Sequence, residues 1–158
     1  MALIKSYRWS VSPPRYPLFA LGDVHWDSEH CDRVAFSACM RAFSEAGPGA
    51  RAILLGDCFE FLRKRSRQAL LSAVSRMSDE ERDLVEGGHK KGVMDFLRAS
   101  KALEGKTLFV IEGNHSWIFL DGRTTGQMIA EALGADWVDG SAHINLILTR
   151  GKMSHARH

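Results

Sequence analysis

The chain has 158 residues, of which 45% are apolar and 25% charged, as in a single soluble globular domain. Its formal net charge of +2 is too small to indicate a nucleic acid or a membrane surface as partner. Three cysteines without a CxxC spacing argue against a disulfide framework or a zinc ribbon, and suit a reducing compartment. Charged residues and prolines interrupt the N-terminal segment, so we expect no signal peptide, no membrane partner and a cytoplasmic location.

Three short apolar runs each end at a glycine followed by a polar residue. They are residues 17–21 before Gly22-Asp23, residues 52–55 before Gly56-Asp57, and residues 108–111 shortly before Gly113-Asn114. Continuous apolar runs of this length are typical of strands that are buried on both faces, as in α/β proteins.

Helical patterns lie between these runs. They predict helices from Ser28 to Glu45, from Arg67 to Met77, from Ser78 to the Gly87-Gly88 pair, from Val93 to Leu103 and from Thr125 to Leu133. The alternation after Ala142 predicts a hairpin to Met153 with its turn at Arg150-Gly151-Lys152. Strand, helix, strand, helices, strand indicates an α/β fold with a mainly parallel sheet flanked by helices.

Possible metal ligands follow all three predicted strands. Asp23 and His25 follow the first strand, Asp57 follows the second, and Asn114 and His115 follow the third. In open parallel sheets, sites form just beyond the carboxyl ends of the strands, so we expect these residues to meet. Carboxylate and imidazole together suit Mn, Fe or Zn better than Mg or Ca.

The segments Gly22-Asp23-Val24-His25, Gly56-Asp57-Cys58-Phe59-Glu60 and Gly113-Asn114-His115 resemble the D-x-H, G-D-x-x-D and G-N-H motifs of calcineurin-like metallophosphoesterases. The resemblance covers about Leu18 to His115, with the motifs in the family's order. It implies a metallophosphoesterase-type αββα sandwich in which residues 64–104 form a helical insertion or cap.

The resemblance also implies a dinuclear site that hydrolyses a phosphomonoester or a phosphodiester, a substrate class that includes nucleotides and nucleic acids. Asp23 and His25 would bind the first of two divalent metal ions, Asp57 would bridge both ions, and Asn114 would bind the second. His115 would act as the catalytic acid, donating a proton to the leaving oxygen or a hydrogen bond to the phosphate.

The sequence departs from the family pattern in three places. Glu60 replaces the second aspartate of G-D-x-x-D, where it would orient His115, and Ser116 stands where the family usually has an acid. The family's final G-H-x-H is missing, and only His155 and His158, near the end of the chain, are candidates for the remaining ligands. We therefore expect a domain that is incomplete at its C-terminus.

Two other classes of function remain open at this point. One is a truncated, catalytically impaired remnant that binds metal without turnover. The other is a nucleic-acid-binding module that uses the basic run 63–67, against which the near-neutral overall charge argues. Trp26 and Trp117, each close to a motif, would either wall the pocket or pack in the core. The sequence indicates neither the oligomeric state nor the identity of the substrate.

Overall fold

A computed structural model describes residues 3–11, 16–61 and 72–150. Its strands are β1 (Leu3–Val11), β2 (Leu18–Leu21), β3 (Arg51–Leu54), β4 (Thr107–Ile111), β5 (Asp136–Val138) and β6 (Ala142–Arg150). Its helices are α1 (Arg33–Glu45), α2 (Asp79–Ala99), a short 3₁₀ helix (Lys101–Leu103) and α3 (Thr125–Leu133).

The main sheet has the order β2-β3-β4-β5, and every neighbouring pair is parallel. Helices connect successive strands, as parallel pairing requires. The fold is therefore α/β with a parallel sheet flanked by helices, as the sequence predicts. The three apolar runs form β2, β3 and β4, whose carboxyl ends lie together at one edge of the sheet. These three strands are not equally buried on both faces. Strand β2 lies at one edge of the sheet, and its Leu18 is 40% exposed.

A second sheet consists of β1 and β6, which pair in parallel with Leu3 opposite Ala142 and Val11 opposite Arg150. The Tyr7 hydroxyl lies 2.6 Å from Asp136 Oδ2, to which it donates, and the Tyr7 ring stacks on Phe109 with ring centroids 6.1 Å apart. This side chain links the two sheets. Burial and the neighbouring Asp136 carboxylate raise the pKa of Tyr7, which keeps its hydroxyl a neutral donor.

The predicted C-terminal hairpin is only partly tested. Its first arm is β6, but the described partner of that arm is β1, in parallel orientation. Arg150, which was expected in the turn, lies within the strand, and residues 151–158 are outside the described part of the chain. The sequence patterns gave no indication of β1, because a parallel partner so distant in sequence leaves no local turn signal.

Two helix boundaries differ from those predicted. Helix α1 begins at Arg33 because the Asp32 carboxylate, not Ser28, caps it by accepting from the backbone N–H of Ala35 at 2.8 Å. Helix α2 begins at the predicted capping box of Ser78 and Glu81, but it continues through Gly87-Gly88 to Ala99. The two helices predicted on either side of that glycine pair are therefore one.

Packing explains why α2 continues through the glycines. Val93 and Phe96 are fully buried in the main core, which also contains Phe36, Phe43 and Leu54. The helix thus gains burial beyond the glycines that exceeds their unfavourable helix propensity of about 1 kcal/mol each. Helix α3 spans the predicted residues and ends at Gly134, which adopts a left-handed conformation with φ 66°.

The expected insertion, residues 64–104, is mainly helical where the structure describes it, with a non-helical break at residues 75–78. Residues 72–74 are helical, but residues 75–77 form a turn, so the helix predicted to Met77 ends earlier than expected. Helix α2 and the 3₁₀ helix follow. The rest of the predicted Arg67–Met77 helix includes residues 67–71, which lie outside the described part. A smaller apolar cluster of Val74, Trp117 and Phe119 packs beneath this region. In the described segments, none of the helices combines the length and the apolar character needed to cross a membrane.

Candidate metal centre at the ends of the parallel strands

The loops after β2 and β3 are joined by backbone hydrogen bonds. The N–H of Asp23 donates to Gly56 O at 3.3 Å, that of His25 to Asp57 O at 3.1 Å, and that of Trp26 to Cys58 O at 2.8 Å. The loop after β4 is joined to the same centre, because the His115 N–H lies 3.2 Å from Asp57 Oδ1 and donates to it. Asp57 is therefore the residue on which the three loops converge.

Three of the predicted ligands have a left-handed backbone. Asp23, His25 and Asp57 have φ values of 52°, 46° and 46°, and no other residue except glycine has a positive φ in the described segments. A left-handed L-residue costs roughly 1–2 kcal/mol, somewhat less for aspartate. Such strain persists only where the surrounding structure enforces it, and it concentrates at functional sites.

The glycines of the three motifs have different roles. Of the three motif glycines, only Gly56 has a positive φ, at 96°, so the sharp turns fall largely on the ligands themselves. Gly113 is needed for close approach. A Cβ atom at this position would lie 2.3 Å from the backbone nitrogen of Asp57, where no side chain fits. Gly113 therefore lets the loop after β4 reach Asp57.

The side chains of the first and third motifs face one another. His25 Nε2 lies 3.9 Å from Asp23 Oδ1, and the rings of His25 and His115 meet edge to face with centroids 5.4 Å apart. Asn114 is exposed in the same loop. The Asp23 side chain is 83% exposed and that of His25 29%, so the candidate ligands open to solvent at the sheet edge.

The chemistry of these residues fits divalent metal ions. Carboxylate, imidazole and amide oxygen are suitable donors for Mn, Fe or Zn. His25 Nδ1 is buried without a hydrogen-bond partner in the described structure, a condition that a folded protein rarely leaves uncompensated. Within residues 3–11, 16–61 and 72–150, however, no three His, Cys, Asp or Glu side chains are grouped closely enough to hold a metal ion. The residues therefore fit a divalent metal ion in the type of donor atoms they supply and in the convergence of their loops, and not in a closely grouped set of side chains.

Glu60, His155 and His158 are the remaining predicted site residues. The backbone N–H of Glu60 donates to Asp27 Oδ1 at 2.6 Å, which ties the second motif to the end of the first. His155 and His158 lie outside the described residues, so their expected ligand role stays a prediction. Asp27 was not singled out from the sequence, because a lone aspartate two residues after a histidine has no distinctive pattern.

Negative charge surrounds the buried side of this centre. Burial, followed by the charges of Asp57, Glu112 and Asp23, raises the pKa of the Cys58 thiol to about 12. A cavity of about 20 Å³, large enough for roughly one water molecule, lies among residues of the second and third motifs and α3. Glu112, which lines it, is another residue that sequence reasoning missed. A glutamate at a strand end gives no signal until its partners are known.

The aromatic neighbours of the motifs pack into the core rather than lining an open pocket. Trp26 contacts Phe36 and Phe96, and the Arg33 guanidinium lies over its ring at 3.3 Å from the centroid. Trp117 is 4% exposed and packs on His89 of α2, with ring centroids 4.6 Å apart. Residues 63–67, the basic run, are outside the described part.

Comparison with protein-family models, with curated proteins and with solved structures finds no match for this chain.

Proposed function

We propose that the chain is a metal-dependent phosphoester hydrolase of the calcineurin-like metallophosphoesterase type. The observation that carries this proposal is the left-handed backbone at Asp23, His25 and Asp57. Three strained residues at three predicted ligand positions, held by bonds between loops, are difficult to explain as a consequence of packing alone. They are expected of a site in which side chains must converge on a ligand.

The residues would divide the work as follows. Asp23, His25, Asp57 and Asn114 would hold two divalent ions of Mn, Fe or Zn, with Asp57 shared between them. When bound, the ions would supply positive charge that acidifies water and offsets the charge of the phosphoryl oxygens. His115, held near Asp57 by its backbone N–H, would donate a hydrogen bond or a proton to the substrate's leaving oxygen. Ser116, the next residue, is uncharged, whereas the family usually has an acidic residue at this position.

The test compares the full chain with two matched carboxylate variants. Asp57→Asn removes the proposed bridging ligand, and Asp121→Asn removes an exposed carboxylate that bonds Arg123 elsewhere on the surface. We expect the wild type and Asp121→Asn to bind Mn²⁺ by calorimetry and to hydrolyse an aryl phosphate monoester or diester. Asp57→Asn should lose both properties. Equal metal binding by all three proteins would reject the proposed centre.

A third variant separates catalysis from binding. His115→Asn should retain the metal while kcat falls by on the order of 10²–10⁴-fold, the usual contribution of a general acid. Metal binding by the wild type without turnover of either ester would instead favour the alternative of a catalytically impaired remnant.

A further inference from the structure

The Glu112 carboxylate, at the end of β4, is saturated with hydrogen-bond donors. Oε1 accepts from the Ser116 hydroxyl and from the backbone N–H of Gly126 at 3.3 Å. Oε2 accepts from the Thr124 hydroxyl and from Trp137 Nε1 at 2.7 Å. Each oxygen thus receives two bonds, which fills the four lone-pair sites of an ionised carboxylate. A carboxylate with this number of bonds holds in place the segments of chain that contain the four donor residues.

The surroundings of Glu112 are built to hold that charge. Gly126 lies in the first turn of α3, and a Cβ atom there would come within 2.7 Å of Oε2. The helix N-terminus also favours a negative charge at this place. Trp137 reaches the carboxylate from β5. Glu112 therefore connects β4, α3 and β5 with the loop after β4, which carries Asn114 and His115.

That loop is held at two points. On one side the His115 N–H donates to Asp57 Oδ1 at 3.2 Å. On the other, the Ser116 hydroxyl contacts Glu112 and also lies 3.1 Å from the carbonyl of Gly113. We propose that Glu112, acting through Ser116, is a positioning residue that fixes His115 and Asn114 against Asp57. This inference rests on the proposed function and adds to that site a carboxylate, Glu112, that is outside the predicted ligand set.

The rival explanation is that Glu112 only joins α3 and β5 to the sheet. The two roles can be separated because the donors come from different elements. Ser116→Ala removes the bond to Glu112 on the loop side, together with the contact to the Gly113 carbonyl, and leaves Thr124, Gly126 and Trp137 in place. The Glu112 variant below separates these two contacts. Trp137→Phe removes a bond on the β5 side and leaves Ser116 in place. If Glu112 only joined α3 and β5 to the sheet, the two variants would have the same effect on the loop that carries His115.

The primary measurement is amide hydrogen exchange at His115, which reports the bond to Asp57 without requiring activity. We expect Ser116→Ala to accelerate exchange at this amide by at least about tenfold, while amides of the buried strands keep their protection. Trp137→Phe should leave the His115 amide unchanged relative to those strands. Unchanged exchange in Ser116→Ala, or equal acceleration in both variants, would overturn the positioning role.

A rescue pair adds a second readout. Glu112→Gln keeps one acceptor oxygen and turns its single amide N–H₂ toward either the Oε1 donors, Ser116 and Gly126, or the Oε2 donors, Thr124 and Trp137. One pair of donors loses its acceptor, so the network that holds the loop is expected to weaken. Adding Ser116→Asp supplies a carboxylate on the loop that can accept from the new amide. The pair should therefore recover His115 protection, and with it Mn²⁺ affinity and kcat, relative to Glu112→Gln alone. No recovery in His115 protection would contradict the role.

The two proposals fail in different ways. If the wild type neither binds Mn²⁺ nor hydrolyses phosphoesters, the proposed function is wrong, and His115 exchange alone then decides whether Glu112 fixes the loop. If the wild type is active and Ser116→Ala changes neither His115 exchange nor kcat, the function stands and the positioning role is wrong.

Discussion

Individual residues at the strand ends hold backbone conformations that residues other than glycine rarely adopt. Asp23 shows this most clearly, because its side chain is 83% exposed and therefore gains little from packing. Its φ of 52° nonetheless places it in the left-handed region. An exposed residue with a strained backbone is a position where stability and function are expected to conflict.

Substitution of Asp23 tests this conflict directly. Asp23→Gly and Asp23→Ala both remove the carboxylate, but only glycine relieves the left-handed strain. We expect Asp23→Gly to be more stable than Asp23→Ala by about 1 kcal/mol, measured by denaturant unfolding, with both variants losing metal affinity to the same extent. An alanine variant as stable as the glycine variant would mean that the backbone here is not left-handed.

The position of the three motif loops at one edge of the sheet was predictable from the sequence, and how these loops are held was not. The order of apolar runs and following ligands places Asp23, Asp57 and Asn114 at one sheet edge, because parallel strands share the direction of their carboxyl ends. The Glu60 N–H donates to Asp27 and the Ser116 hydroxyl to Glu112, and both pairings depend on loop conformation. Local sequence carries no signal for such pairs.

At the scale of elements, α2 is the clearest case in which packing overrides local preference. Its glycine pair is a helix terminator by pattern, yet the helix continues because residues on both sides of the pair are buried. Glu86 lies fully buried just before it, 3.4 Å from Arg82 Nε and 3.7 Å from Lys90 Nζ. Both cations come from the same helix, one turn away in each direction, so continuity of the helix also neutralises this carboxylate.

The glycine pair therefore offers stabilising substitutions. Apart from the adjacent residues and the nearby backbone of α2 itself, no atom lies within 4 Å of the place where a Cβ atom on Gly87 or Gly88 would be. We expect Gly87→Ala and Gly88→Ala each to raise the free energy of unfolding by roughly 0.5–1 kcal/mol, seen as a higher melting temperature.

Gly126→Ala is the matched contrast within a helix. Its Cβ atom would meet the Glu112 carboxylate at 2.7 Å, so this variant should be destabilised. Alanine variants of the pair that melt below the wild type would argue for a helix break at Gly87-Gly88.

At the scale of the molecule, the insertion and the three motif loops form one packed unit. His89 of α2 lies between Phe61, which follows the second motif, and Trp117, which follows the third, with ring centroids 4.3 and 4.6 Å away. Burial lowers the pKa of His89, although the nearby carboxylates of Asp27 and Glu86 oppose this shift. The contact between helix and loops thus depends on a neutral imidazole.

This contact should make the stability of the whole chain depend on pH. Since the pKa of His89 is lower in the folded state, the unfolded chain binds more protons as pH falls through about 6.5, the ordinary histidine value. Folding is therefore weakened on acidification, by at most about 1.4 kcal/mol per pH unit for one proton, and by less here because the ring is partly exposed.

His89→Phe keeps an aromatic ring between Phe61 and Trp117 but cannot be protonated. We expect its melting temperature to fall less than that of the wild type between pH 7 and pH 5. An equal fall in melting temperature for the two proteins would show that folding does not lower the pKa of His89, and would contradict this prediction.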